Sequence, residues 1–593
     1  MESGINNNDD LSELTPLLRR DMTVPVRARA KEILVKRIPI LGWLPNYTWG
    51  KLVQDALAGI TVGLTAIPQG IAYAVVAGLP AQYGLYSSFM GCFAYFIFGS
   101  TKDVTIGPTA IMALLVQPFV IKFGNDFAVL LCFLSGCIII LMGLLHIGFL
   151  VNFISMPVIC GFTNAAALII GASQLHTLFG IQGKTETFID SIVKVVKNIK
   201  QVKLWDTVLG VVSIIILVGL KQLPGSRSGS AGKKIMWLLS LGRNAIVVIT
   251  GIILAYTLSL YDNNPFIITG NITEGLPSLS LPPFSTEFNS TKYEFTDMVR
   301  ELGSSLASIP LIAILESIAI AKAFAKGKSV DANQEMIALG FCNLFGSFVR
   351  SMPVAGSFTR TAINSASGVK TPMGGIVTGS LVLLACGLLT STFKFIPKCT
   401  LAAVIIVAMY YMLEFHIFRV LWRSKKIDIL PLSVTLVCCL LINLEYGMII
   451  GILLNLILLL YFSARPGLTI EERNIEGIDV LLVAPEQSLS FPAAEYLRER
   501  VIEWCDKRSS SIPVIIDGKC IHRIDTTVAK NLGLLHKDLE SRNQKLIFWN
   551  WCDGVKNTLI NYDKNLTVNF RDSANVAQLL SDENSDITII SAL

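Results

Sequence analysis

Apolar residues along most of this chain come in long blocks instead of alternating with polar ones. Between positions 52 and 462 the blocks recur at lengths close to the ~20 residues a helix needs to cross a hydrocarbon core, as at 127–145, 207–220, 245–260 and 427–444. This pattern predicts an all-α polytopic membrane domain over residues 46–465. Residues 1–45 differ: they are polar, charged and punctuated by Pro16, Pro25 and Pro39, which predicts a cytosolic tail without a cleavable leader. After Arg465-Pro466 the pattern changes again. Short β-like runs at 480–484, 514–517 and 545–549 alternate with helical stretches near 492–504 and 527–539, so residues 470–593 are expected to form a small α/β domain.

Composition agrees with the pattern. The 593 residues are 52% hydrophobic and only 16% charged, with a mean hydropathy of +0.59, against a charged fraction of about 25% in soluble proteins. The formal net charge of +6 is modest and its basic residues fall in short loops, which argues for topology and against nucleic-acid binding. Lys221, Arg227, Lys233, Lys234 and Arg243 share one such loop, Lys322, Lys326 and Lys328 a second, and Arg419, Arg423, Lys425 and Lys426 a third. These loops are expected in the cytosol. The segment 261–292 is then outside, where Asn271 and Asn289 each open an acceptor pattern for N-glycosylation. The lysine-rich loop 184–203 also counts as outside, with Ile189, Ile192, Val195, Val196 and Ile199 spaced for an amphipathic surface helix.

The twelve cysteines include Cys92, Cys132, Cys160, Cys386 and the neighbours Cys438 and Cys439, and they form neither a disulfide framework nor a zinc spacing. Cys520 with His522 is the only nearby Cys/His lead for a metal. No nucleophile elbow, dinucleotide fingerprint or phosphate loop occurs in a fitting context, so neither enzyme activity nor a cofactor is expected.

Charge inside the membrane domain is more informative. Arg360 follows the helix-breaking run Pro353-Val354-Ala355-Gly356-Ser357, and an arginine at the centre of a spanning helix costs at least about 2.5–3.5 kcal/mol on insertion scales. Its natural partner is an anion. The run Thr105-Ile106-Gly107-Pro108-Thr109-Ala110 has a similar breaker followed by apolar residues. Pro68 to Gly107 and Glu316 to Gly356 are each about 40 residues apart, as corresponding halves of a repeated transporter require. Glu316 stands in the apolar stretch 309–320, where a buried carboxylate can carry a proton. The pairing of breakers suggests a membrane carrier for anions.

The residues then show a family likeness. Ala58-Gly59-Ile60-Thr61-Val62-Gly63-Leu64-Thr65-Ala66-Ile67-Pro68-Gln69-Gly70, followed by Gly78-Leu79-Pro80 and Gly84-Leu85-Tyr86, resembles the sulfate permease signature. Leu315-Glu316-Ser317-Ile318-Ala319 and Asp331-Ala332-Asn333-Gln334-Glu335 extend the likeness to the SulP/SLC26 anion transporters, notably their sodium-independent animal members. The resemblance implies fourteen membrane segments in an inverted 7+7 repeat, followed by a C-terminal STAS domain that supports a homodimer. It also implies that segments three and ten are half-helices starting near Thr109 and Phe358, and that Gln69, Tyr73, Thr109, Ala110, Phe358, Thr359 and Arg360 line the substrate site, with Glu316 as the coupling residue. Thr109 stands where the chloride-selective relatives often carry an aromatic residue, which leaves more room for an oxyanion.

The expected activity is sodium-independent exchange of sulfate with chloride, or with oxalate or bicarbonate, by an elevator-like movement. Proton-coupled sulfate symport through Glu316 and an uncoupled chloride channel are the alternatives, and a signalling scaffold carried on a membrane anchor is a fourth reading. Glu13 placed four before Leu17-Leu18 resembles an acidic dileucine sorting signal, so plasma membrane and lysosome are both open. Asp525 and Thr526 match the place where bacterial STAS regulators carry a phosphorylatable serine, and Asp525 equally suits a helix cap.

Overall fold

The computed structural model describes residues 34–181, 188–223, 231–260, 265–269, 275–288, 291–325, 329–475, 478–507 and 512–571. The sorting residues Glu13, Leu17 and Leu18 and the acceptors Asn271 and Asn289 lie outside the described residues. Packing divides the chain between Ile452 and Leu453 into a large helical unit and a smaller mixed one.

Among the described residues fourteen helices make the membrane domain. The first seven are α1 (Trp49–Ala77), α2 (Ala81–Phe98), α3 (Ala110–Phe123), α4 (Asn125–Leu144), α5 (Met156–Leu178), α6 (Leu204–Gln222) and α7 (Ala231–Ser259). The second seven are α8 (Ser305–Phe324), α9 (Ala332–Ser347), α10 (Phe358–Ala366), α11 (Met373–Leu388), α12 (Lys398–Met412), α13 (Ile429–Leu441) and α14 (Leu444–Ala464). The third member of each half is short, 14 residues for α3 and 9 for α10. Each follows a two-residue strand, β1 (Ile106–Gly107) before α3 and β2 (Ala355–Gly356) before α10. The strands pair antiparallel, Ile106 with Gly356 and Gly107 with Ala355, the direction that an inverted repeat gives two equivalent segments.

Small residues set the spacing of the helices around these strands. A Cβ on Gly84 would run into the Gly70 carbonyl, so α1 and α2 meet backbone to backbone, and α1 meets α11 in the same way at Gly59 and Gly374. Helix α1 keeps Pro68 in its interior and ends at Gly78, whose left-handed φ of 77° turns its N–H back onto the Ala74 and Val75 carbonyls. Asp55, fully buried on α1, accepts from the backbone N–H groups of Lys370 (2.6 Å) and Thr371 (3.2 Å) and from the hydroxyls of Thr371 (2.6 Å) and Tyr47 (3.1 Å). The link between α10 and α11 is thereby tied to α1.

Outside the fourteen segments, a helix over Phe188–Lys197 exposes Ile189, Ile192 and Val196 beside its lysines, the surface helix that the periodicity predicts. Lys233, Lys234 and Arg243, read from sequence as loop residues, lie within α7, because the chain from Ala231 onward lacks a breaker strong enough to stop a helix.

The second unit holds a five-stranded sheet ordered along the chain: Leu468–Ile475, Ile478–Pro485, Val514–Asp517, Leu546–Trp549 and Phe570–Arg571. The first two strands pair antiparallel and the rest parallel. Helices Ala494–Asp506, Thr526–Ser541 and Asp553–Tyr562 accompany it, with Val483, Leu497, Ile516, Leu532 and Phe548 in the core. Asp525 caps the helix Thr526–Ser541, accepting from the N–H groups of Thr527 and Val528 at 2.9 Å each, while its other oxygen accepts from the Phe491 N–H at 2.6 Å.

Candidate functional site

The loops before the two half-helices are laced together. Ser357 donates its backbone N–H to the Thr105 carbonyl (3.0 Å), and Thr105 donates its own to the Thr361 hydroxyl (3.2 Å). Gly356 donates to the Ser317 hydroxyl of α8 at 2.9 Å, and a Cβ at Gly356 would stand 3.1 Å from the Ser317 backbone. Glycine is therefore needed for this approach. Proline and glycine break the chain before each half-helix, and the strand pair fixes the two starts relative to one another.

The two starts are finished differently. On α3 the Thr109 hydroxyl accepts from the Met112 N–H at 3.3 Å and closes part of the first turn. On α10 the flanking Ser357 makes no such bond with its side chain; its hydroxyl instead lies 3.3 Å from that of Thr359. The first N–H groups of a helix have no intrahelical acceptor and carry about half a positive charge in sum. An anion held at these ends needs few charged side chains.

Arg360 stands on the first turn of α10 and is 1% exposed, and neither of its two buried terminal nitrogens has a hydrogen-bond partner. The guanidinium lies across Gly107, where a Cβ would come within 3.0 Å of Nη2. Tyr73, Cys92 and Glu316 lie close enough to act on its charge. Glu316, on α8, accepts from the Thr109 hydroxyl at 3.2 Å. A buried guanidinium with idle donors is costly in an apolar interior, and a bound anion removes that cost.

The structure thus sets the Arg360 guanidinium against Gly107, joins Thr109 to Glu316, and places Tyr73 and Glu316 where they act on the Arg360 charge. Gln69 lies one turn before Tyr73 on α1, 2% exposed and with its Oε1 unpartnered. Ala110 is buried as the first residue of α3, and Thr359 is half-buried beside Arg360. Phe358 is the outlier: it is 49% exposed, and its ring packs edge-on against Phe324 at the end of α8, 5.4 Å away. Sequence reasoning missed Ser317, Thr105 and Thr361, which hold the crossing, and also Glu335 on α9. Glu335 is buried and accepts from the hydroxyls of Tyr95 (2.9 Å), Ser100 (2.5 Å) and Thr101 (2.9 Å), anchoring the loop that leads into β1. Hydroxyl residues near breakers were the available signal, but serine and threonine are common at such places. Among the described residues no group of three or more His, Cys, Asp or Glu could hold a metal ion.

Comparison with known proteins decides the family. The sulfate permease family model matches residues 52–435 and the STAS domain model residues 469–577. The chain is 44% identical to the sodium-independent sulfate anion transporter of Bos taurus, over 87% of this chain and 86% of that protein. This chain belongs to the sulfate permease family. A second permease relative, the chloroplastic sulfate transporter 4.1 of Arabidopsis thaliana, is 31% identical over 88% of this chain and 79% of its own. The solved SLC26A9 structure shares the permease fold at a TM-score of 0.81 with 22% identity, covering 96% of this chain and 97% of that one. The transmembrane domain of the cyanobacterial bicarbonate transporter BicA aligns at 0.55 with 19% identity, over 69% of this chain and 98% of its own. At these identities the likeness establishes the fold.

Proposed function

We propose that this permease carries sulfate across a membrane without sodium, in exchange for chloride or another small anion such as oxalate or bicarbonate. The observation that carries the reading is Arg360, buried on the uncapped start of α10 with its terminal nitrogens idle. The names of the bovine, plant and yeast relatives, all sulfate carriers, support sulfate as the substrate. A tetrahedral dianion offers four oxygens to donors converging from two helix ends and a guanidinium, which suits this set better than one side chain would. Gln69, Tyr73, Thr109, Ala110, Thr359 and Arg360 would line the site, with the Phe358 ring at its edge. In the elevator reading, the unit bearing the half-helices moves as a rigid body against the remaining segments, with a homodimer as the frame. Both termini would be cytosolic, in the plasma or lysosomal membrane.

The test is labelled sulfate entry into sodium-free proteoliposomes with and without internal chloride. Trans-stimulation by chloride, lost in Arg360→Gln protein that inserts normally, is expected; uptake unchanged by the substitution would refute the site. The contact between Thr109 and Glu316, within reach of Arg360, favours a second reading in which a proton travels with the anion. There, uptake rises with acidity outside and the rise disappears in Glu316→Gln. A conductance far above carrier turnover in electrical recordings would instead favour the channel.

A further inference from the structure

Lys221 and Arg243 occupy a place that transport through the half-helices does not use. Lys221 is in the last turn of α6, Arg243 is in α7, and Tyr411 closes α12, the helix packed against both. The Lys221 ammonium lies over the Tyr411 ring, 2.8 Å from its centroid. Arg243 spends one nitrogen on the Ser240 carbonyl at 2.7 Å, while its Nε is buried with no partner. The Arg243 charge acts on Lys221, and the Tyr411 phenol acts on Arg243. Among the described residues neither makes an ion pair. Two cations that share the surroundings of one tyrosine without a carboxylate partner repel one another, and an aromatic face offsets only part of that.

What surrounds the pair indicates what neutralises it. On α6, Val218 and Ile214 continue the Lys221 face over the two preceding turns and are half-buried, and on α7 Leu254 (39% exposed) continues the face of Arg243. Such rows on helices of this length face hydrocarbon. Tyr410 (65% exposed) and Trp422 (63%), the latter on the helix His416–Ser424 with Lys426 5.4 Å from its ring, mark the aromatic belt at the membrane surface. A cationic pair at the belt with aliphatic tracks leading from it matches an anionic phospholipid, phosphate at the cations and chains along the helices.

We propose that Lys221, Arg243 and Tyr411 form a binding site for the phosphate headgroup of an anionic phospholipid of the cytosolic leaflet. The leaflet assignment rests on the orientation proposed above; the site itself does not. A phosphate there bridges both cations and completes the idle donor of Arg243, so the lipid pins the ends of α6 and α12 to the middle of α7.

The experiment uses the full-length purified protein and native mass spectrometry after exposure to mixed micelles of phosphatidylcholine with a phosphatidylinositol phosphate. Lipid retention should fall roughly thirty-fold in Lys221→Ala/Arg243→Ala and little in a control that removes Arg419 and Arg423. Equal retention by the parent and the double variant overturns the proposal. Soluble inositol phosphate and inorganic phosphate, offered without lipid, should not be retained; if they compete fully with the lipid, the site takes a free phosphate and the lipid assignment fails. Should the double variant misfold, a photoactivatable phosphatidylinositol phosphate on the parent decides: labelling of α6, α7 or α12 beside these residues supports the site, and labelling elsewhere overturns it. Sulfate uptake by the parent in phosphatidylcholine alone separates this result from the transport reading, which does not require the lipid.

Discussion

Replacing Thr109 by alanine tests the half-helix cradle at its most economical point. One hydroxyl serves two purposes: it accepts from the Met112 N–H and so caps α3, and it donates to Glu316 at 3.2 Å. Loss of an N-cap costs about 1 kcal/mol, and loss of a hydrogen bond to a charged group about 1.5–3 kcal/mol. The two share one atom and do not add. Affinity changes only by what the bound state loses beyond the empty one: with the hydroxyl turned from Glu316 to the bound anion, its removal takes a donor from the bound state alone, and a net difference of about 1 kcal/mol is roughly five-fold in apparent affinity. Labelled sulfate uptake across a concentration series should show KM raised by about that factor in Thr109→Ala with the maximal rate little changed. Thr109→Ser, which keeps the hydroxyl, should be near the parent. If the alanine variant has the parent's KM at equal protein density, or if serine is as impaired as alanine, the hydroxyl has no part in binding and the assignment of α3 fails.

Gly107→Ala should impair uptake at least as much as Thr109→Ala, because the new Cβ stands 3.0 Å from Arg360 Nη2 and moves the guanidinium; the fold-loss caused by Gly107→Ala should be smaller in an Arg360→Lys background than in the parent, and an equal fold-loss in both would count against the contact. Asp55→Ala strips the acceptor from two backbone N–H groups and two hydroxyls, at about 1–3 kcal/mol for each buried donor left unpaired. Its melting temperature in detergent should drop by several degrees, with Asp55→Asn intermediate. Glu335→Ala unties Tyr95 and the 100–101 loop from α9 and should lower stability in the same assay, whereas a loss of transport at unchanged melting temperature would contradict the anchoring role.

Much of the membrane domain was legible because its cause is local. Blocks of about 20 apolar residues have few physical outcomes other than spanning helices, and breakers at 105–108 and 353–356 can be read without any partner. Arg360 stood out because charge in such a block is expensive wherever it points. The partners were not legible. That Gly107 lies beneath the Arg360 guanidinium, that Ser317 receives the Gly356 N–H, and that Asp55 holds residues 315 positions later in the chain depends on how the helices cross. Those crossings depend on pairs of small residues such as Gly70 and Gly84, which are frequent enough in membrane helices to carry no pairing information singly. Phe358 shows the converse limit: its neighbours in sequence face the site, yet at the first position of a helix a rotation of one residue turns the ring outward to Phe324.

In the proposed site, the charges gathered at the crossing would link exchange and proton coupling. Arg360 and an ionised Glu316 sum to zero, so that what remains for an anion is the half charge at each of two helix starts. That is about +1 in all and suits a monovalent ion. With Glu316 protonated the sum rises to about +2, which matches a dianion. Because Thr109 donates to Glu316 and also belongs to the α3 start, in the proposed site the proton and the anion would be read by the same few atoms. On that reading a shift of one proton at Glu316 would change which anion the cradle neutralises, and sulfate would need no sodium ion to balance it.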